Sequence, residues 1–223
     1  MTRSILLGAL LALVAAARPD AGRGQESESA SGGAAAAFSG LETRLMDART
    51  VRLGFDITSE GAFESDLRGT LAITGDDRVE LAASGTFGGQ AVDLKASSDG
   101  RGFTYGNGDG LRTGAIPPRL KEALLIGLTR MGLLHNLAVL TANSPPDRAE
   151  GGVREWVRVH DFGWSADVPP AARFSIEVAG TPVGSASLGL DPDGNPVIRR
   201  QTVQFPQGEM RVVERYSGVE IEP

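Results

Sequence analysis

The chain of 223 residues has no cysteine and only two histidines, His135 and His160. Without a thiol there is no disulfide framework, thiolate zinc site, iron–sulfur cluster, sulfur nucleophile or lipidated cysteine. The two histidines form neither a His-x-x-x-His nor a His-Glu pair. Both are read as structural histidines, the alternative being a proton switch or a ligand contact. Lysine is nearly absent too, at Lys95 and Lys121 only, and the net charge is −6. No cationic run exceeds Arg199-Arg200, so the surface repels a phosphate backbone and nucleic acid is not an expected partner. Aromatic residues make up 5%. What remains is a chain 41% apolar with 30 Gly and 12 Pro, long enough for one domain with a proper core.

Arg3 is followed by an apolar stretch from Ile5 to Ala17 that ends in small residues at Ala15 and Ala17. This is the layout of a cleavable secretory signal over residues 1–17. The stretch is shorter than the roughly 20 residues that span a bilayer as a helix. Residues 18–37 are Gly, Ser, Ala and Glu with little to pack, and read as a flexible tether. Residues 38–223 are then a single domain. The expected location is the bacterial periplasm or the medium, with no transmembrane anchor after cleavage.

Phe38, Leu41, Leu45 and Ala48 fall at helical spacing, with Ser39 and Glu42 in capping-box positions. Period two follows. Val51, Leu53, Phe55 and Ile57 alternate with polar or small residues, then Leu67, Leu71 and Ile73, Val79, Leu81, Ala83 and Phe87, Val92, Leu94 and Ala96, and finally Phe103 and Tyr105. Asp76-Asp77, Gly88-Gly89 and Asp99-Gly100 separate these runs, which makes them an antiparallel meander. Pro117-Pro118 ends it, and residues 118–141 read as a helical insertion. Leu120, Leu124, Leu128 and Met131 lie on one side of that helix, Ile126, Leu133, Leu137 and Leu140 on the other, so it is surrounded by protein. Gly127 and Gly132 mark close backbone approach or a break between two helical pieces. Strand patterning resumes from Val153 to Trp164, Arg173 to Val178, Pro182 to Leu190, Val197 to Phe205 and Glu209 to Ser217. The expected fold is α+β: a strongly curved antiparallel sheet of about ten strands, an unclosed half-barrel around the inserted central helix, with an N-terminal helix.

This order resembles the LolA/LolB-like fold of periplasmic lipoprotein carriers and the related N-terminal domain of RseB-type envelope-stress sensors. The resemblance spans roughly residues 38–218 and includes the stretch from Leu190 through the Pro196 turn to Phe205, followed by Glu209 to Tyr216. It is one of architecture, without a residue motif, and the chain departs from LolB, which is lipidated through cysteine. It implies an apolar cavity under covering helices that accepts acyl chains.

Other constellations do not amount to an active site. Asp191, Asp193 and Asn195 lack the glycine position and terminal glutamate of a calcium loop, with Pro196 and Thr202 in those places, and read as a turn. Gly106 to Gly110 lacks dinucleotide-site spacing, and there is no G-x-S-x-G. Glu60, Glu64 and Asp66 read as a solvated turn rather than a carboxylate pair. Trp156, Phe162 and Trp164 share parity and read as core against the sheet, the alternative being a ligand-facing cluster. The expectation is a non-enzymatic carrier or binding protein for an acyl chain, lipid or lipidated protein, with no metal or cofactor. Its apolar wall would be Leu53, Phe55, Leu71, Leu81 and Phe87 from the sheet and Leu124, Leu128, Met131 and Leu134 from the helix. The alternative is a solid-core interaction or sensor module that meets another envelope protein, for instance by strand addition at an exposed edge.

Overall fold

The structure is a computed structural model that describes residues 27–141 and 152–223. The expected signal sequence and the first part of the expected tether lie outside the described residues. The chain opens with helix α1 (Ser27–Asp47) and runs through β1 (Thr50–Gly61), β2 (Ser65–Thr74), β3 (Arg78–Phe87), β4 (Gln90–Asp99), β5 (Phe103–Asn107) and β6 (Arg112–Gly114). Helices α2 (Leu120–Arg130), α3 (Leu133–Thr141) and α4 (Val153–Trp156) intervene. The second run of strands is β7 (Val157–Ser165), β8 (Ala171–Val178), β9 (Thr181–Leu190), β10 (Pro196–Phe205) and β11 (Gly208–Glu222).

All strands join one antiparallel sheet in the order β6-β5-β4-β3-β2-β1-β11-β10-β9-β8-β7. The edges β6 and β7 do not pair with each other, so the sheet is a curved, open half-barrel. It has eleven strands, one more than the alternation suggests, because the three-residue β6 is too short to show a period. The alternation itself produces the first five strands. Val51, Leu53, Phe55 and Ile57 are buried, and their neighbours across β2 include Ile73, Leu71 and Leu67. Leu71 in turn faces Leu81, and Leu81 faces Ala96. Such cross-strand apolar pairs hold the register, because a slip of one residue would turn the whole apolar set outward.

Three local features differ from the sequence expectation. Helix α1 begins at Ser27, inside the stretch read as a tether. Its alanine-rich segment has high helix propensity, and Ala34 is fully buried. Ser39 and Glu42 are therefore interior helix residues rather than a cap. Glu42 accepts hydrogen bonds from Arg130 Nε and Nη2, both at 2.8 Å, and from the Thr129 hydroxyl at 2.9 Å, tying α1 to α2. Residues 153–156 form the short α4 instead of the start of a strand.

Phe38 on α1 packs its ring 5.3 Å from Phe162 and 4.8 Å from Phe174, which fixes α1 against β7 and β8. The C-terminal end of α1 is closed by the buried Lys121 ammonium, which donates to the carbonyls of Met46 at 2.7 Å and Ala48 at 2.8 Å. A cation there satisfies the terminal acceptors and complements the helix dipole.

Candidate functional site: a cavity beside a buried polar clip

The helical insertion breaks at Gly132, whose φ of 90° is left-handed and accessible without strain only to glycine. The break faces strands β10 and β11. Arg199 and Glu214 lie directly opposite each other on those strands, and both are almost completely buried, at 0% and 1% exposure. Arg199 donates to the carbonyls of Thr129 at 3.3 Å and Arg130 at 2.9 Å, the last turn of α2. Glu214 accepts the backbone N–H groups of Leu133 at 2.9 Å and Leu134 at 2.8 Å, the first of α3. Each charge thus meets the helix end of opposite polarity and fills hydrogen-bonding capacity that a broken helix leaves open. A Cβ on residue 132 would stand 2.6 Å from Arg199 Nη1 and 2.7 Å from Glu214 Oε1. Gly132 is therefore both the break and a point of close approach.

Tyr216 completes the clip by donating its hydroxyl to Glu214. Burial, then the neighbouring Glu214 charge, holds the Tyr216 phenol well above its ordinary range. Burial also lowers Arg199 from the usual guanidinium range, while Glu214 pulls it back up. Arg199 Nη1 donates at 2.6 Å to the side-chain oxygen of Gln201, two residues along the same face of β10.

Beside this clip lies a cavity of about 80 Å³, partly open to solvent. Met131, Leu134 and His135 bound it from the helices, Trp156 from α4, and Val178, Val183, Gln201, Val203, Phe205, Met210 and Val212 from the sheet. The lining is apolar apart from His135 and Gln201. Its volume is below the roughly 300–1,000 Å³ of pockets that take a whole drug-sized ligand, so in this conformation it suits one end of a chain.

Of the wall residues read from the sequence, Met131 and Leu134 line this cavity. Leu53, Phe55, Leu71, Leu81, Leu124 and Leu128 are buried in the continuous core. Phe87 is half-buried, with its ring stacked 6.3 Å from that of Phe63. His135 and Trp156, read from the sequence as a structural histidine and as core, also line it, and the remaining lining residues were not singled out from the sequence. A signal for three polar residues of the clip existed: Arg199 and Gln201 share parity with Phe205, and Glu214 shares parity with Met210, Val212 and Tyr216. A polar group at an inward strand position is the informative exception.

The other sequence features have local roles. His135 sits at the cavity, its ring 5.8 Å from Trp156, whereas His160 lies on the exposed side of β7, 2.8 Å from Asp161. Asp161 has a left-handed φ of 55°, in an irregularity that spans His160 and Gly163. Phe162 packs on Phe38 and Phe174, and Trp164, opposite buried Ala172 on β8 and 40% exposed, lies against α1, where a Cβ on Gly33 would stand 3.3 Å from its Nε1. The Asp191 carboxylate accepts the N–H groups of Asp193 at 2.9 Å and Asn195 at 2.8 Å, forming a tight turn. Among the described residues no cluster of three or more His, Asp or Glu side chains could hold a metal, and no helix is long and apolar enough to cross a membrane.

No protein-family model matches the sequence, and no curated protein matches it. Among solved structures the chain is similar to LprF from Mycobacterium bovis, with a TM-score of 0.41, 11% identity and coverage of 86% of this chain and 97% of that one. It is also similar to a LolA superfamily protein from Nitrosomonas europaea, with a TM-score of 0.34, 8% identity and coverage of 85% and 94%. A third likeness is to a beta-barrel-like protein of the DUF1849 domain of unknown function from Brucella abortus, with a TM-score of 0.33, 13% identity and coverage of 79% and 99%. Likenesses of this degree transfer no ligand and no activity.

Proposed function

We propose that the chain is an exported, non-enzymatic carrier or binding protein that holds an acyl chain, belonging to a lipid or a lipidated protein of the bacterial envelope. The observation that carries this reading is the apolar cavity between the α2–α3 break and strands β8 to β11. Its walls offer non-directional burial, worth about 25 cal/mol per Å² of apolar surface removed from water. Strand addition at the sheet edges has less support. One edge, β6, is three residues long, and the other, β7, is interrupted at His160–Gly163, features that discourage edge pairing.

The test combines native mass spectrometry of the full chain purified from its own host with titration by a fluorescent fatty acid. The expected result is co-purifying lipid and saturable probe binding that lipid displaces. Met131→Glu, which puts a charge at the cavity wall, lowers probe affinity about tenfold or more, while Met131→Leu retains it. A folded wild-type protein that carries no lipid and ignores the probe overturns the carrier reading in favour of a protein-interaction module.

A further inference from the structure

Gln201 is the one cavity-lining side chain that also belongs to the polar clip. It is 6% exposed. Its contact with Arg199 fixes which way the amide faces, because a guanidinium only donates and the atom 2.6 Å from Arg199 Nη1 must therefore be the oxygen. The amide nitrogen is then on the other arm of the fork. No hydrogen bond joins that nitrogen to any of the described residues, and the side chain forms part of the cavity wall. The nitrogen is not among the fully enclosed side-chain atoms left without a partner, so it keeps a surface open to the cavity that Gln201 lines. That space is otherwise bounded mainly by Val, Leu, Met, Phe and Trp, where a donor without an acceptor becomes costly once a ligand excludes water.

From this we infer that the ligand end enclosed by the cavity carries a carbonyl oxygen, which accepts a hydrogen bond from Gln201 Nε2, with its hydrocarbon lying against Val203, Met210 and Leu134. The inference rests on the carrier reading and narrows it. The ligand class is a carbonyl-linked acyl group, bound by its linkage end, and a bare alkyl terminus is the inferior occupant. Arg199 is the positioning residue. By holding the amide oxygen it presents the nitrogen to the ligand, and its own positive charge polarises the amide further. The shared chemistry is that of an acyl ester, as in a glycerolipid, or an acyl amide, as in an N-acylated peptide.

Competition against the bound fluorescent fatty acid tests the inference, with methyl laurate, N-methyl lauramide and tridecane as the competing probes. In the wild type the two carbonyl compounds displace the probe at concentrations about tenfold lower than tridecane, as expected for one hydrogen bond made in a mostly apolar site. Whichever of the ester and amide competes better identifies the source. Gln201→Glu keeps an acceptor for Arg199 but removes the donor. Its readout is the ratio within the variant: methyl laurate, N-methyl lauramide and tridecane displace the probe at equal concentrations, whatever the overall affinity, and a carbonyl preference that survives in the folded variant overturns the inference. If tridecane competes as well as methyl laurate in the wild type, the carbonyl inference falls and the carrier reading stands. If none of the three displaces the probe and the probe itself does not saturate, both fall.

Discussion

Strands β1 to β5 and strands β10 to β11 bury their inner faces by different means. In the first wing the inward positions include Val51, Leu53, Phe55, Ile57, Leu67, Leu71, Ile73, Val79, Leu81, Leu94 and Phe103, all apolar and packed into one core, and the polar exceptions Ser65 and Ser98 are small and uncharged. In the second, Arg199, Gln201, Glu214 and Tyr216 occupy inward positions among Phe205, Met210 and Val212. The first wing closes on side chains alone. The second meets the ends of two helices, whose open N–H and C=O groups cannot be left against hydrocarbon. Charge is the answer to that geometry, and the cavity lies beside it. A core that must satisfy a helix break cannot also be filled by apolar packing alone.

Removing one partner of the clip gives the largest expected effect. Glu214→Ala leaves Arg199 without its opposing charge and strands the N–H groups of Leu133 and Leu134, and costs about 3–5 kcal/mol in denaturant unfolding. A loss below about 1 kcal/mol would mean that the second wing is held by packing like the first, and the contrast would collapse. Truncations sharpen the comparison next. Leu71→Ala in the dense wing costs about 2–5 kcal/mol, whereas Val203→Ala, with the cavity already on one side, costs less than about 1 kcal/mol. Equal losses would show that the second wing is as densely packed as the first.

Alkaline pH gives the smallest effect. The Tyr216 pKa is raised in the fold, so its contribution is complete below the unfolded value of about 10. Above that, the unfolded chain releases a proton that the fold retains. Stability then falls with rising pH by up to about 1.4 kcal/mol per unit, until the folded pKa is passed. Tyr216→Phe removes this slope, which unfolding curves on either side of pH 10 measure. An unchanged slope in the variant would detach Tyr216 from the clip.

The dense wing was legible because period-two alternation alone specifies which side of each strand is buried. Leu53, Leu71, Leu81 and Leu94 are inward for no other reason. The two-sided apolar character of α2 and α3 was legible too, as was the break at Gly132. Helix α1 was legible only from Phe38 onward, since a segment of Gly, Ser and Ala becomes an ordered helix through the burial of residues such as Ala34, a tertiary event. The common parity of Trp156, Phe162 and Trp164 failed at Trp156, which lies in α4 ahead of the strand, while the shift at Asp161 moves the inward positions of β7 from Val157 and Val159 to the side of Phe162 and Trp164. The site was legible in part. Met131 and Leu134 could be read as inward apolar residues, but a void depends on which inward side chains fail to meet. Nothing in the spacing of Val183, Val203 or Val212 encodes that. The polar clip was more accessible: Arg199, Gln201 and Glu214 carry inward parity, and a search for polar exceptions to the alternation would have found them.

The seam between β1 and β11 has a consequence for how the chain reaches this structure. Every other strand pairing joins consecutive strands, whereas this one joins the first to the last. Gly61 pairs with Met210 and Thr50 with Glu222, partners roughly 150 or more residues apart. Hairpins within either wing close short loops and can form within microseconds, while the seam demands one long closure before any of its pairs is rewarded. The kinetic burden of folding therefore concentrates in a single docking of two prefabricated ribbons. The long β11 supplies that event with a row of partners interrupted only at the register shift between Arg52 and Gly54.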